Sequence, residues 1–327
     1  MPITPIESTD EQLILETEDT IAQIAAGTRV DSRSPTAEEN LDGVFVTAAD
    51  VTLLVDGEVF AEDDGIEFNG DATGGFVQVG ATGEVAGRSD GVFLQGEDSL
   101  VINDGTVRGG VEEAIETSGE NSRVINRGTA IASDNGLETN GRSNTVINTG
   151  SVVSGDAGVD AGGFDATLLN SGEISGADEG VLMNSEEAVL VNTGTISSTE
   201  DGVELDGARA FFLNSGAVNA SDFGASIGGN RSITINTGTI EGGTEGVDFT
   251  GSSGIGNTHT LVNTGTIGAT ISSRSIDGSA GTEQIFNAGT LENNVALGGS
   301  GDLFDGRDGI VEGIVYGQDG RRSEDRG

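Results

Sequence analysis

Apolar positions along this chain fall in short runs, and the runs recur. The pattern apolar–Asn–x–Gly–x–apolar is first complete at Ile102-Asn103-Asp104-Gly105-Thr106-Val107. It returns around Asn126, Asn148, Asn170, Asn192, Asn214, Asn236, Asn263 and Asn287. The first step is 23 residues, the next five are 22, and the last two are 27 and 24. Val55-Asp56-Gly57-Glu58-Val59 and Gly83-Glu84-Val85 read as degenerate earlier copies. A second pattern, acidic–Gly–apolar–x–apolar, interleaves with the first, as in Asp201-Gly202-Val203-Glu204-Leu205. Its small-residue column runs Gly43, Gly65, Gly91, Ala114, Gly136, Gly158, Gly180, Gly202, Gly224 and Gly246. A fixed period of this kind marks a repeat architecture, in which each unit buries its apolar face against its neighbours.

The period selects the element. Three short strands and their turns fit in 22 residues, whereas helix-pair repeats need more than about 30. The runs are rich in β-branched residues and bounded by glycine, so they read as strands. The expected fold is all-β: a right-handed parallel β-helix, a solenoid with about eleven coils between residues 41 and 296. Residues 1–40 lack the repeat. Leu13-Ile14-Leu15 and Ile21-Ala22-Gln23-Ile24 within them are expected to cap the first coil, as solenoids need. Residues 297–327 change register and composition and form a separate C-terminal segment.

The columns carry expectations of their own. The residue before each Asn is apolar (Ile102, Ile125, Ile147, Leu169, Val191), and so is the residue four after it (Val107, Val152, Ile174, Ile196). Both are expected to line the interior, each contributing about 1.5–3 kcal/mol. The nine aligned Asn residues are expected to form a ladder, each amide donating to the neighbouring coil. The Gly two positions on is expected to take positive φ.

Charge narrows the function. The chain carries 55 Asp and Glu against 14 basic residues, all of them Arg, for a net charge of −41. Such a surface repels nucleic acid and anionic membranes and attracts cations. There is no cysteine, hence no disulfide framework and no thiolate metal site. The first ten residues have no basic n-region and no apolar h-region, so no Sec signal peptide is read in this chain. No apolar run is long enough for a membrane-spanning helix.

Candidate chemistry is sparse. Glu67, Glu116, Glu138, Asp160, Glu204, Asp248 and Asp277 share one offset in the repeat; Asp42, Asp64, Asp90, Glu113, Glu179, Asp201 and Glu245 share another. These columns read as an outward, solvated face, with a low-affinity cation stripe as the functional alternative. Paired carboxylates also serve glycoside hydrolysis. The supporting residues are thin, with no Trp, one Tyr and a single His259, which reads as a surface-loop histidine. No catalytic set is assigned, and the chain is not read as an enzyme.

The C-terminal segment reads Leu297-Gly298-Gly299-Ser300-Gly301-Asp302-Leu303-Phe304-Asp305-Gly306, followed by Asp308-Gly309 and by Gly317-Gln318-Asp319-Gly320. It resembles the hemolysin-type calcium-binding repeat of RTX proteins, GGxGxDxUx. The resemblance implies bound calcium, with Gly299, Gly301, Asp302, Asp305, Asp308 and Asp319 as its ligands. Leu303 stands where that pattern has a ligand Asp, and Asp302 takes the role. The Arg-rich tail from Arg321 breaks the pattern and reads as a truncated or frame-shifted end. The repeat region is similar to the β-helical stalks of surface adhesins and autotransporter passengers. Together these resemblances imply an exported or cell-surface structural or adhesive β-helix, secreted by a type I route. Its expected partner is a polysaccharide or a host or cell-surface ligand. The alternative is a pectate-lyase-like β-helix that binds or cleaves polysaccharide.

Overall fold

Glycines and other turn-forming residues cut each repeat into three strands, as in Leu100–Asn103, Thr106–Gly109 and Ile115–Thr117. A computed structural model describes residues 3–33, 41–250, 258–271, 274–299 and 301–317. They form a parallel β-solenoid of about fourteen turns with three parallel sheets, and no helix occurs among them. Equivalent strands of successive coils pair side by side, which satisfies their backbone groups.

The chain divides into two compact units, Met1–Gly163 and Phe164–Gly327. In the first unit, the first sheet runs from Ile3–Pro5 to Thr145–Asn148, the second from Arg29–Asp31 to Ser151–Val153, and the third from Leu13–Leu15 to Val159–Ala161. In the second unit, the first sheet runs from Thr167–Asn170 to Leu303–Asp305, the second from Glu173–Gly176 to Ile310–Val311, and the third from Glu179–Met183 to Val315–Tyr316. Strands are therefore present on both sides of residues 41–296. Leu13–Leu15 pairs with Val44–Val46, Ile21–Ile24 with Thr52–Val55, and Leu303–Asp305 with Thr282–Asn287.

The Asn residues stack in register inside each unit. Asn103, Asn126 and Asn148 form one ladder, and Asn170 to Asn287 form another. Each Nδ2 donates to the Oδ1 of the next rung at 2.8–2.9 Å. Asn192 also donates to the carbonyls of Gly194 at 3.3 Å and Ala217 at 3.2 Å. Its Oδ1 accepts from Gly194 N–H at 3.2 Å.

Two expectations need correction. The residue before each Asn does not line the interior: Leu169 is 38% exposed, and Ile102, Ile125 and Ile147 are half-buried. Strand side chains alternate between faces, and the Asn itself takes the inward position. The core positions are therefore Val101, Val124, Val146, Leu168, Leu190 and Phe212, all fully buried. The residues four after Asn are buried as expected, Val107, Val152 and Ile196 among them. The glycine two after Asn does not adopt positive φ. At Gly194 a Cβ would lie 2.1 Å from the carbonyl oxygen of Gly172, so close stacking of coils excludes a side chain. Positive φ falls instead in the long turn before the first sheet, on Asp19, Asp50, Gly74, Asp98, Asn121 and Ser143 in the first unit and on Asp165, Glu187, Arg209 and Arg231 in the second.

Candidate functional site

The third sheet of the first unit carries the acidic columns, and the strand alternation gives them two different environments. One column lies just ahead of the small residue of each coil: Asp42, Asp64, Asp90, Glu113 and Asn135. It is buried, not solvated, and Asp90 is only 2% exposed. The three aspartates are each held by the backbone of the next coil. Asp42 Oδ1 accepts from Asp64 N–H at 3.3 Å, Asp64 Oδ1 from Asp90 N–H at 3.0 Å, and Asp90 Oδ1 from Glu113 N–H at 2.8 Å.

The other column is the central residue of each three-residue strand, and it points outward. In register it reads Phe45, Glu67, Phe93, Glu116, Glu138 and Asp160. All six are half-buried. Two phenyl rings thus share one outward line with four carboxyl groups. Amides brace that line: Gln95 donates to Glu67 at 2.9 Å, and Asn135 donates to Glu138 at 2.7 Å. Asn140 bridges Glu116 at 3.2 Å and Glu138 at 2.5 Å.

Crowding changes the protonation of both columns. Burial, then the charges of Asp64 and Glu113, pushes Asp90 up to about 9. Burial, then Glu138, raises Glu113 to about 8 and Glu116 to about 7. Burial raises Asp64 to about 7; burial, followed by Asp42, raises Glu67 to about 7. Near neutral pH such a surface offers both hydroxyl donors and carboxylate acceptors. Two triads, Asp42–Asp64–Glu67 and Asp90–Glu113–Glu116, each hold ligand oxygens within 4.8 Å of one another. That donor set suits a hard, oxygen-seeking cation.

The second unit does not repeat this arrangement. The equivalent of the first unit's buried column passes Asp201, Phe223 and Glu245, of which only Glu245 is buried, and then meets Arg274, which pairs with Glu245 at 3.9 Å. Its outward column includes Leu182, Glu204, Ser226, Asp248 and Asp277.

The residues of the glycine-rich C-terminal segment are spread out. Asp302 Oδ1 accepts from Glu283 N–H at 3.2 Å. Asp305 is paired with Arg307 at 2.8 Å, which holds its carboxyl below the usual carboxylate range. Asp308 and Gly301 are exposed, and Gly299 is half-buried. Asp319 lies outside the described residues. Among the described residues, the carboxylate clusters of three or more are the two triads of the first unit, and neither contains Asp302, Asp305 or Asp308. His259 departs from its reading as a surface-loop residue: it lies in the strand Thr258–Asn263 and is fully buried.

Phe45 and Phe93 were missed as site residues in the sequence. Their signal was present, because they sit two residues after Gly43 and Gly91, the same offset as Glu67 after Gly65.

No protein-family model matches the chain, and no curated protein matches it. The fold is similar to the crystal structure of the Dettilon tailspike protein (gp208), with a TM-score of 0.53 and 12% sequence identity. The match covers 96% of this chain and 61% of that one, so the chain spans about three-fifths of the length of the protein it matches. At this identity the likeness concerns the fold alone.

Proposed function

We propose that the chain is an exported or surface-exposed β-helix that binds polysaccharide along the third sheet of its first unit. The outward line Phe45–Glu67–Phe93–Glu116–Glu138–Asp160 carries this reading. Aromatic rings give rigid apolar platforms for the apolar faces of sugar rings. Carboxyl and amide groups beside them match sugar hydroxyls, which both donate and accept. In-register strands repeat about every 4.8 Å, so a linear chain of similar units can follow the line. The likeness in fold to a tailspike protein supports the β-helix part of the reading. The net charge of −41 favours neutral or amino-sugar polymers over acidic ones.

A glycan panel followed by titration tests it. Phe93→Ala should weaken binding about tenfold, which corresponds to about 1.4 kcal/mol. Val153→Ala, at an exposed position on the second sheet, should leave binding unchanged. Binding that is insensitive to Phe93→Ala, or absent for neutral and amino-sugar glycans alike, would contradict the proposal.

Cleavage is a second reading, favoured by the amide of Asn140 between Glu116 and Glu138. Retaining glycosidases hold two carboxyl groups about 5–5.5 Å apart. Glu116, raised by burial to about 7 and so still partly protonated near neutral pH, would be the acid and Glu138 the nucleophile. Release of reducing ends that Glu116→Gln abolishes while binding persists would identify an enzyme. Divalent cations are proposed to neutralise the same face at the two triads. Calcium binding by the RTX-like segment is proposed on its sequence pattern.

A further inference from the structure

The outward positions of the first sheet in the second unit hold no charged residue over six successive coils. One column reads Leu169, Val191, Leu213, Ile235, Val262 and Phe286 in register. The other reads Thr167, Val189, Phe211, Ile233, Thr260 and Gln284. Leu169, Ile233 and Phe286 are exposed, Ile233 by 43%, and the rest are half-buried. The residue after each Asn is Ser, Thr or Ala throughout this unit. The other two sheets of the unit differ. Glu173 and Glu241 stand outward on the second, and Glu204 and Asp248 on the third. An apolar face this long, about 24 Å from its first strand to its last, marks an interaction surface. In a chain of net charge −41 it is also a place where two copies can meet without like charges in contact.

The rim of the face selects its occupant. The turns that lead into the first four of these strands stack Asp165, Glu187, Arg209 and Arg231 in one column, all at positive φ. Their backbones tie each turn to the next. Asp165 N–H donates to the Glu186 carbonyl at 3.0 Å, Glu187 N–H to Ala208 at 2.8 Å, and Arg209 N–H to Asn230 at 2.8 Å. The column is therefore acidic over two coils and basic over the next two. Glu187 and Arg209 meet at its midpoint, 2.7 Å apart. The opposite rim, just after the Asn ladder, carries no charge in this unit.

We infer that the first sheet of the second unit is the contact face of a homodimer whose two copies run antiparallel. A two-fold axis lying along the strands, between those of Val189 and Phe211, turns the second copy end for end. It sets Phe211 of one copy on Val189 of the other, Arg209 beside Glu187, and Arg231 beside Asp165. The acidic half of each rim thus meets the basic half of the other, so the face is complementary to itself, as an isologous contact requires. A two-fold axis along the stacking direction would instead lay the charged rim against the Ser/Thr rim and leave its charges unmatched. The face lies on a different sheet and in a different unit from the proposed glycan line, so the two readings stand or fall separately.

The test is sedimentation velocity of the full chain over a micromolar concentration series at about 0.15 M salt, where charges more than about 8 Å apart are screened. The expected result is a monomer that passes to a dimer and stops there, because a two-fold contact closes. Phe211→Glu and Ile233→Glu each put a charge on the face at an outward position; both should fold, shown by an unchanged Tm, and stay monomeric. Asn219→Asp adds a charge at an exposed position of the second sheet and should leave the dimer intact. The rim is tested by mixing. An all-acidic chain, Arg209→Glu with Arg231→Glu, and an all-basic one, Asp165→Arg with Glu187→Arg, should each be monomeric alone and form a heterodimer together. A chain that stays monomeric throughout, a dimer that survives both Phe211→Glu and Ile233→Glu, growth beyond a dimer, or rim variants that fail to associate on mixing would overturn the inference. So would a monomeric chain that floats with neutral phosphatidylcholine vesicles, which would assign the face to a lipid surface.

Discussion

Asn192 shows how one side chain ties three coils together. Its amide donates to Asn214 and accepts from Asn170, both at 2.8 Å. Asn192→Ala leaves the Asn170 amide and the Asn214 oxygen short of a partner in a fully buried column. We expect a loss of about 1–3 kcal/mol in chemical denaturation; an unchanged midpoint would mean the ladder is decorative. At this scale the sequence revealed the ladder but misjudged what lies next to it. Hydrophobicity alone placed Ile102 and Leu169 inside, yet a one-residue shift in a strand reverses the face. Counting by twos from an inward Asn263 would have put Leu261 and His259 inside as well. The parity was legible; the weight given to apolar character obscured it. The positive-φ turn column was only half legible: Asp19, Asp50, Gly74, Asp98, Asn121 and Asp165 are residue types that favour that region, but Ser143, Glu187, Arg209 and Arg231 are not.

At the scale of the element, the third sheet of the first unit gathers carboxyl groups more densely than their ordinary ionisation allows. In the folded chain Asp64 and Glu116 titrate at about 7, Glu113 at about 8 and Asp90 at about 9. Unfolded carboxyls titrate near about 3.9–4.3. The folded state therefore binds more protons across the interval between. The stability these groups contribute is complete below about pH 4 and is lost as pH rises through their folded values. We predict that Tm falls steadily from pH 5 to pH 9 at constant ionic strength. Asp90→Asn keeps an acceptor for Glu113 N–H and removes one ionisation. It should flatten the slope and raise stability at pH 9 by on the order of 2 kcal/mol. A Tm that rises over this interval would contradict the assignment. The acidic columns themselves were plain in the sequence. Their burial was not, because a strand residue's face depends on register and not on its charge.

At the scale of the whole molecule, the 22-residue period was enough to give the class of fold. The reach of the solenoid was harder to see. In the first sheet the column that holds Asn103 continues back through Val79, Val55 and Ile24. An apolar stack fills the same interior column as an amide ladder, so coils before residue 100 lack the motif while keeping the geometry. The net charge of −41 acts on every coil. Calcium and magnesium should both raise Tm by screening and neutralising it. An additional rise with calcium alone, removed by Asp305→Asn together with Asp308→Asn, would place calcium in the RTX-like segment. Equal effects of the two ions would assign the whole response to charge.

The central claim is that sugar lies along one outward line of the third sheet. Crystals of the chain soaked with the oligosaccharide selected by the glycan panel test it most directly. Sugar rings stacked on Phe45 and Phe93, with hydroxyls on Glu67 and Glu116, are the predicted result. Density on another face, or no density at saturating ligand, would contradict it.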